Sequence, residues 1–299
     1  MRQITGLTKQ LCVIGSPVTH SFSPAMHNAA LEALDLDYVY TAFEVSKEHI
    51  SDAIRGLLHL GVVGCNVTMP GKTIVADLAD ELSPVAMLSH SVNTVVFRDG
   101  RIYGDSTDGI GFMSSVSHAG VNLIGQHLTV LGAGGAATAI IVQAALDGVS
   151  EISVFRRRSS LWQQTEDFAA RISAETGCRI AVYDLADTDA LRAQIADSAV
   201  LVNATNVGMM PDSDACLIPD ASFLHPELLV SDIIYHPLET RLMALAKEVG
   251  CKVSGGLSML LHQGAASFRL FTGQTMPIET VAAQVFPELY EAEFRTSRA

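Results

Sequence analysis

The sequence predicts an α/β protein of two domains, each built on a sheet with helices packed against it. Three observations carry that expectation. Apolar runs rich in Val, Ile and Leu alternate with helical patterns, a βαβ rhythm. The rhythm runs twice, from Leu11 to about Tyr103 and again from Leu128, in a chain of 299 residues, which suits two domains of ~150 residues. The apolar runs of the second series suit strands covered on both faces of a parallel sheet.

In the first series, LCVIG reads as a strand and PAMHNAALEALDL as a helix with Pro24 near its first turn. YVYTAFEV, a helix around Ile54 to Leu60, and the strand VVGCNVT follow. TVVFRDGRIY closes the series as a two-residue hairpin, because Asp99-Gly100 interrupts two apolar alternations. The second series opens on a stretch of 19 residues without a charge, Leu128 to Leu146, close to the ~20 that span a bilayer. Gly132, Gly134 and Gly135 split it into a β-rich and an Ala/Ile-rich part, which reads as strand, tight turn and helix, not as a membrane span. EISVF, a helix from about Leu161 to Thr176, RIAVYDL, AVLVNAT and LLVSDIIY continue the sheet. A helix around Thr240 to Val249 and the final helical run LSMLLHQGAASFRLF follow, and the domain boundary falls near residue 110.

Charge and cysteine usage exclude several classes. With 19 Lys and Arg against 32 Asp and Glu, the net charge is −13, so neither nucleic acid nor an anionic membrane is expected as a partner. The five cysteines are odd in number and widely spaced, with no CxxC pair and no histidines in zinc-site or HExxH spacing, so no metal is expected. They read as free thiols, and with an N-terminus unlike a signal peptide this predicts a cytoplasmic protein.

GAGGAA fits GxGxxA: Gly132 makes the tight turn, Gly134 allows a pyrophosphate to approach the backbone, and Ala137 permits close helix packing. Ala133, Gly135 and Ala136 complete a loop that follows a strand and opens a helix, the context of a dinucleotide site whose anion meets the helix N-terminus. The next strand ends at Phe155, where an NAD-binding chain places an acid for the ribose 2′-hydroxyl; here stand Arg156, Arg157 and Arg158. Three guanidiniums suit a 2′-phosphate, hence NADP, although a solvated run before a helix has the same composition.

The first half offers the substrate side in three loops. Ser21 and Ser23 lie between strand and helix, where hydroxyls could hold a carboxylate or Ser23 could cap the helix. Asn66 to Lys72 ends a strand in a turn that carries one lysine, which by itself resembles a surface lysine. Asp108 follows Gly104-Asp105-Ser106-Thr107, either a partner for a cation or the cap of the next helix.

Eight motifs in order resemble the shikimate dehydrogenase family, from Gly15 to about Phe286: GxPVxHSxSPxxHN, NVTxPxK, VNT, TDG, GAGGAA, NAT with a following GM, DxxYxP and GxxMLxxQ. The resemblance implies reversible NADPH-dependent reduction of 3-dehydroshikimate to shikimate on the route to chorismate and the aromatic amino acids. It implies a substrate-binding catalytic domain of residues 1–109 completed by C-terminal helices 257–299, a Rossmann-type NADP-binding domain of residues 110–256, and a cleft between them. Ser21 and Ser23 are then expected at the substrate carboxylate, and Asn66, Thr68, Asn93, Asp108 and Gln263 at ring hydroxyls. Lys72 is the expected catalytic residue, paired with Asp108; Tyr235 is expected at the substrate, and Ile233 and Gly256 near the nicotinamide. As a neutral amine Lys72 accepts the alcohol proton, and as an ammonium it donates one to the ketone; an oxidised nicotinamide favours the first form and Asp108 the second.

This chain departs from the family pattern in places. Ser106 stands where Asn commonly precedes Thr-Asp-Gly, Arg156 where Asn commonly precedes an Arg, and Asn206 replaces a common Ser. The C-terminal run resembles the quinate/shikimate branch, some members of which take quinate and NAD as well; against NAD, Ser159 stands near where that branch can carry an acid. A dual-cofactor quinate/shikimate dehydrogenase is therefore the alternative. A noncatalytic NADP-binding regulator is remote, since a sensor needs no proton-transfer pair. The oligomeric expectation is a monomer or homodimer.

Overall fold

Residues 4–295 are described by the computed structural model, and the chain divides into two compact units, Met1–Gly111 with Leu261–Ala299, and Phe112–Leu260. Both divides fall inside helices, the first within a helix that starts at Asp108 and the second within one that starts at Gly256.

In the first unit the strands are β1 (Lys9–Gly15), β2 (Tyr38–Glu44), β3 (Gly64–Val67), β4 (Glu81–Leu82), β5 (Thr94–Arg98) and β6 (Arg101–Asp105). They form one sheet in the order β2-β1-β3-β5-β6-β4. The βαβ part is parallel, and β5 enters antiparallel to β3 and pairs with β6 as a hairpin. Asp99 and Gly100 have φ of 51° and 72°, the positive values that a two-residue hairpin turn requires. Helices α1 (Ser23–Ala33), α2 (Ile50–His59), α3 (Lys72–Leu78) and α4 (Pro84–Ser89) connect the strands, and α5 (Asp108–His118) leaves the hairpin. Cys12, Ile14, Ile54, Cys65, Val67, Val75 and Val95 are among the buried residues of the core between sheet and helices.

The second unit holds β7 (His127–Leu131), α6 (Gly135–Leu146), β8 (Glu151–Arg156), α7 (Trp162–Thr176), β9 (Arg179–Asp184), α8 (Thr188–Ala196), β10 (Val200–Asn203), β11 (Leu229–Asp232), α9 (Arg241–Val249) and β12 (Lys252–Ser254). Its sheet is parallel throughout, in the order β12-β11-β10-β7-β8-β9. This is the doubly wound order: the chain runs outward from β7 to β9, then returns to lay β10 on the other side of β7. The uncharged stretch is therefore β7, a turn and α6, and among the described residues no helix is long and apolar enough to cross a membrane.

α10 (Gly256–Thr272) and α11 (Ile278–Val285) follow, and a short helix, Pro287–Leu289, continued by a π-helical turn, Tyr290–Arg295, comes last among the described residues. In the first unit Gly264 lets α10 lie against α1, because a Cβ there would strike the Met26 side chain. Beneath it His27 is fully buried, stacked on Tyr40 with ring centroids 4.3 Å apart and planes 3° from parallel, and neither ring nitrogen has a hydrogen-bond partner among the described residues. Burial lowers its pKa from 6.5 to about 3.

The unfolded chain therefore takes up a proton at His27 that the folded one refuses until the pH approaches 3. The resulting stability is present above pH 6.5 and lost as the pH falls toward 3, at about 1.4 kcal/mol per pH unit. His27→Phe should flatten the fall of the urea midpoint between pH 6 and 4; an unchanged slope would contradict a buried neutral imidazole.

Candidate active site

The strand ends of the first unit gather its polar residues. Asn66 lies near the end of β3 in register with Thr94, and Thr94 is in register with Asp105. Asn93 precedes β5, donating its N–H to the Asp105 carbonyl at 3.0 Å and accepting at its own carbonyl from Val67 N–H at 2.8 Å. Lys72 is the first residue of α3 and Asp108 the first of α5, and the Lys72 carbonyl accepts from Val92 N–H at 3.0 Å. The backbone of the β3–β5–β6 core thus fixes where both side chains begin.

Lys72 Nζ donates to Asp108 Oδ2 at 2.5 Å, with only 23% and 11% of the two side chains exposed. The other carboxylate oxygen accepts from Asn93 Nδ2 at 2.7 Å. Asn93 Oδ1 in turn accepts from the Thr107 backbone N–H at 2.8 Å and from the Thr94 hydroxyl at 2.9 Å. Gln263, on α10, places Oε1 3.5 Å from both Asn93 Nδ2 and Thr107 Oγ1, long contacts at the rim of the same network. Lys72 is therefore no free surface lysine, and the Asp108 carboxylate is spent on a cation and an amide.

Asn66 joins from the other side. It accepts from the Tyr40 hydroxyl at 2.7 Å and donates to the Asn93 carbonyl and Thr94 Oγ1, each at 3.1 Å. Burial first, and the neighbouring Cys12 and Cys65 next, raise the Tyr40 pKa well above 10, so the phenol keeps the proton it donates. Tyr40, Thr94 and Thr107 were not singled out as site residues in the sequence; the available signal was a tyrosine in an apolar strand, whose hydroxyl needs a partner once buried. Ser23 starts α1 but does not cap it, since Phe22 occupies the cap position without a side-chain bond. Ser21 Oγ accepts from Ser23 N–H at 3.3 Å, and Ser23 is buried beside the Tyr40 hydroxyl. Thr68 is half-buried, and its methyl fills the place a Cβ would take at Gly15. Ser106 is fully buried, with no partner for its hydroxyl among the described residues.

In the second unit the glycine turn sits at the switch point. Gly132 has φ of 115°, and a Cβ on it would lie 2.8 Å from the Ala204 carbonyl just beyond β10, so both conformation and space demand glycine. Gly134 caps α6 without any side-chain bond to the free N–H groups of the first turn. A Cβ at Gly134 or Gly135 would meet nothing within 4 Å, while Ala137 is completely buried against the sheet. An open cradle of backbone donors over a close-packed helix fits a dinucleotide pyrophosphate. Across the sheet, Asp232 accepts from Thr240 Oγ1 at 2.8 Å, Ile234 N–H at 3.0 Å and Asn203 Nδ2 at 3.1 Å, and burial raises its pKa. That carboxyl shapes the loop carrying Ile233 and Tyr235. Gly256 lies against this loop so closely that a Cβ would strike the backbone of Ile233 and Ile234. Among the described residues, no group of three or more His, Cys, Asp and Glu is arranged to hold a metal.

A glycine turn fit for a dinucleotide in one unit and a lysine held by a carboxylate in the other are parts that a pyridine-nucleotide-linked dehydrogenase uses, the class that interconverts an alcohol and a ketone by hydride and proton transfer. Residues 13–95 match the model of the shikimate dehydrogenase substrate binding domain, and residues 256–286 that of the shikimate 5′-dehydrogenase C-terminal domain. Shikimate dehydrogenase (NADP(+)) of Listeria monocytogenes serotype 4b is 45% identical over 284 residues, spanning 95% of this chain and 98% of the relative. The crystal structure of a Listeria monocytogenes shikimate 5-dehydrogenase in complex with shikimate and NAD has a TM-score of 0.92 at 44% identity, covering 96% of this chain and 99% of that one. The Thermus thermophilus enzyme in complex with NADP(H) and shikimate has a TM-score of 0.78 at 34% identity, over 93% and 98%. This chain belongs to the shikimate dehydrogenase family.

Tyr40→Phe removes the donor to a buried amide oxygen and should lower stability by about 1–2 kcal/mol. Urea denaturation checks it: an unchanged midpoint would contradict the Tyr40–Asn66 bond.

Proposed function

We propose that this chain reduces 3-dehydroshikimate to shikimate reversibly with NADPH, a step toward chorismate and the aromatic amino acids. The observation that carries the reading is the Lys72–Asp108 pair, held from behind by Asn93. When bound, NADPH supplies the hydride for the carbonyl carbon. Reduction also requires a proton at the carbonyl oxygen, and Lys72 Nζ donates it; in the reverse direction the same nitrogen takes the alcohol proton. Asp108 accepts from that nitrogen and aims it.

The remaining assignments follow the motifs. Ser21 and Ser23 take the substrate carboxylate, and Asn66, Thr68, Asn93 and Gln263 its hydroxyls, with Tyr235 as a further substrate contact. Gly132, Ala133, Gly134, Gly135 and Ala136 seat the pyrophosphate, the arginines after β8 the 2′-phosphate, and Ile233 and Gly256 border the nicotinamide. Residues 1–109 with 257–299 then serve the substrate and 110–256 the cofactor. The Listeria monocytogenes structure, with shikimate and NAD at 44% identity, favours a second reading in which this chain also accepts NAD; the C-terminal run that resembles the quinate/shikimate branch adds quinate to that reading.

Lys72→Ala should lower turnover at least ~100-fold while changing shikimate affinity little, because the lost group acts in the transition state. Absorbance at 340 nm reports the turnover and calorimetry the binding. Near-normal turnover would remove Lys72 from the chemistry.

A further inference from the structure

The three arginines after β8 are not equivalent. Arg156 is turned into the protein: its terminal nitrogens donate to the Leu161 carbonyl at 3.0 Å, to Ser159 Oγ at 2.9 Å and to Thr165 Oγ1. It organises the start of α7, and each of its terminal nitrogens already donates within the protein. Arg157 is exposed and has no partner among the described residues. Arg158 is held in an intermediate way. Its guanidinium lies 3.9 Å over the ring of Trp162, the only tryptophan of the chain and the first residue of α7. Its Nε donates to Asp184 Oδ2 at 3.3 Å, and neither terminal nitrogen has a partner among the described residues.

Asp184 is itself fixed. It ends β9 in register with Arg156, and its other oxygen accepts from Ala186 N–H at 3.0 Å. An exposed ion pair of this kind adds little to stability. Its geometry serves better as a mount, because a guanidinium held by one face and by Nε keeps both terminal N–H groups as a fork, the shape that binds a phosphate through two parallel hydrogen bonds. Resting on the NADP reading above, we propose that Asp184 and Trp162 are positioning residues that preset Arg158 for the 2′-phosphate and so set the preference for NADP over NAD.

Coulomb repulsion and positioning predict opposite signs. A carboxylate near a phosphate repels it, so on charge alone Asp184→Ala would tighten NADP. If Asp184 positions Arg158, the same change loosens NADP and leaves NAD alone.

Calorimetric titration of the full chain with NADP and with NAD decides between them. Asp184→Ala should raise the NADP Kd about five- to tenfold with the NAD Kd within about twofold, which also shows that the unit is folded. Trp162→Leu should do the same and Trp162→Phe, which keeps a ring beneath the guanidinium, should not. The double variant Asp184→Ala/Arg158→Ala should bind NADP no more weakly than Arg158→Ala alone. Tighter NADP binding or an unchanged NADP/NAD ratio in Asp184→Ala overturns the proposal, as does multiplication of the two losses in the double variant. If Arg157→Ala and Arg158→Ala both leave the ratio unchanged, the arginine reading itself fails, an outcome distinct from the failure of Asp184 alone.

Discussion

The carboxylate of Asp108 receives Lys72 on one oxygen and Asn93 on the other, and most of the first unit's polar architecture serves to keep it so. A lysine nitrogen three-quarters withdrawn from water needs a hydrogen-bond partner inside the protein, and a carboxylate that serves as one offsets its own desolvation only when its second oxygen is also satisfied. Asn93 meets the requirement because its own amide is clamped by Thr94 and Thr107, while Asn66 and Tyr40 close the network from β3 and β2. The sheet enters this directly. Antiparallel insertion of β5 beside β3 brings Asn66 opposite Thr94, and the hairpin returns β6 to present Asp105, Thr107 and Asp108 to the same strand end.

The second unit solves a different problem, and at its glycine turn it does so with backbone. Its glycine turn offers backbone N–H groups where the doubly wound sheet changes direction, and only a residue without Cβ fits between β7 and the strand end after β10. A net charge of −13 is therefore compatible with binding a polyphosphate, since placement of a few donors outweighs the average over the surface.

Sequence reasoning reached the parts of this molecule that depend on local chemistry. Asp99-Gly100 forces a hairpin through its positive φ angles, and the three glycines after LTVL could not belong to a membrane helix. The Lys72–Asp108 pair is 36 residues apart in sequence, so only the family motifs pointed to a partnership that composition and spacing left open. Tyr40 stayed hidden for the same reason: nothing in YVYTAFEV says which buried amide lies across the sheet from its hydroxyl. Likewise the run Arg156-Arg157-Arg158 reads as one basic patch. Its division into an anchored, a free and a mounted arginine depends on Thr165, Trp162 and Asp184, residues that α7 and β9 deliver only once folded.

The central claim is that Lys72 and Asp108 work as one unit, the carboxylate acting through the ammonium it holds. A double-mutant cycle in turnover number, comparing Lys72→Ala, Asp108→Ala and the double variant, tests this most directly. The account predicts that the double variant is slower than the slower single variant by no more than about threefold, because removing either member already disables the pair. Losses that multiply across the cycle would show two independent roles and contradict it.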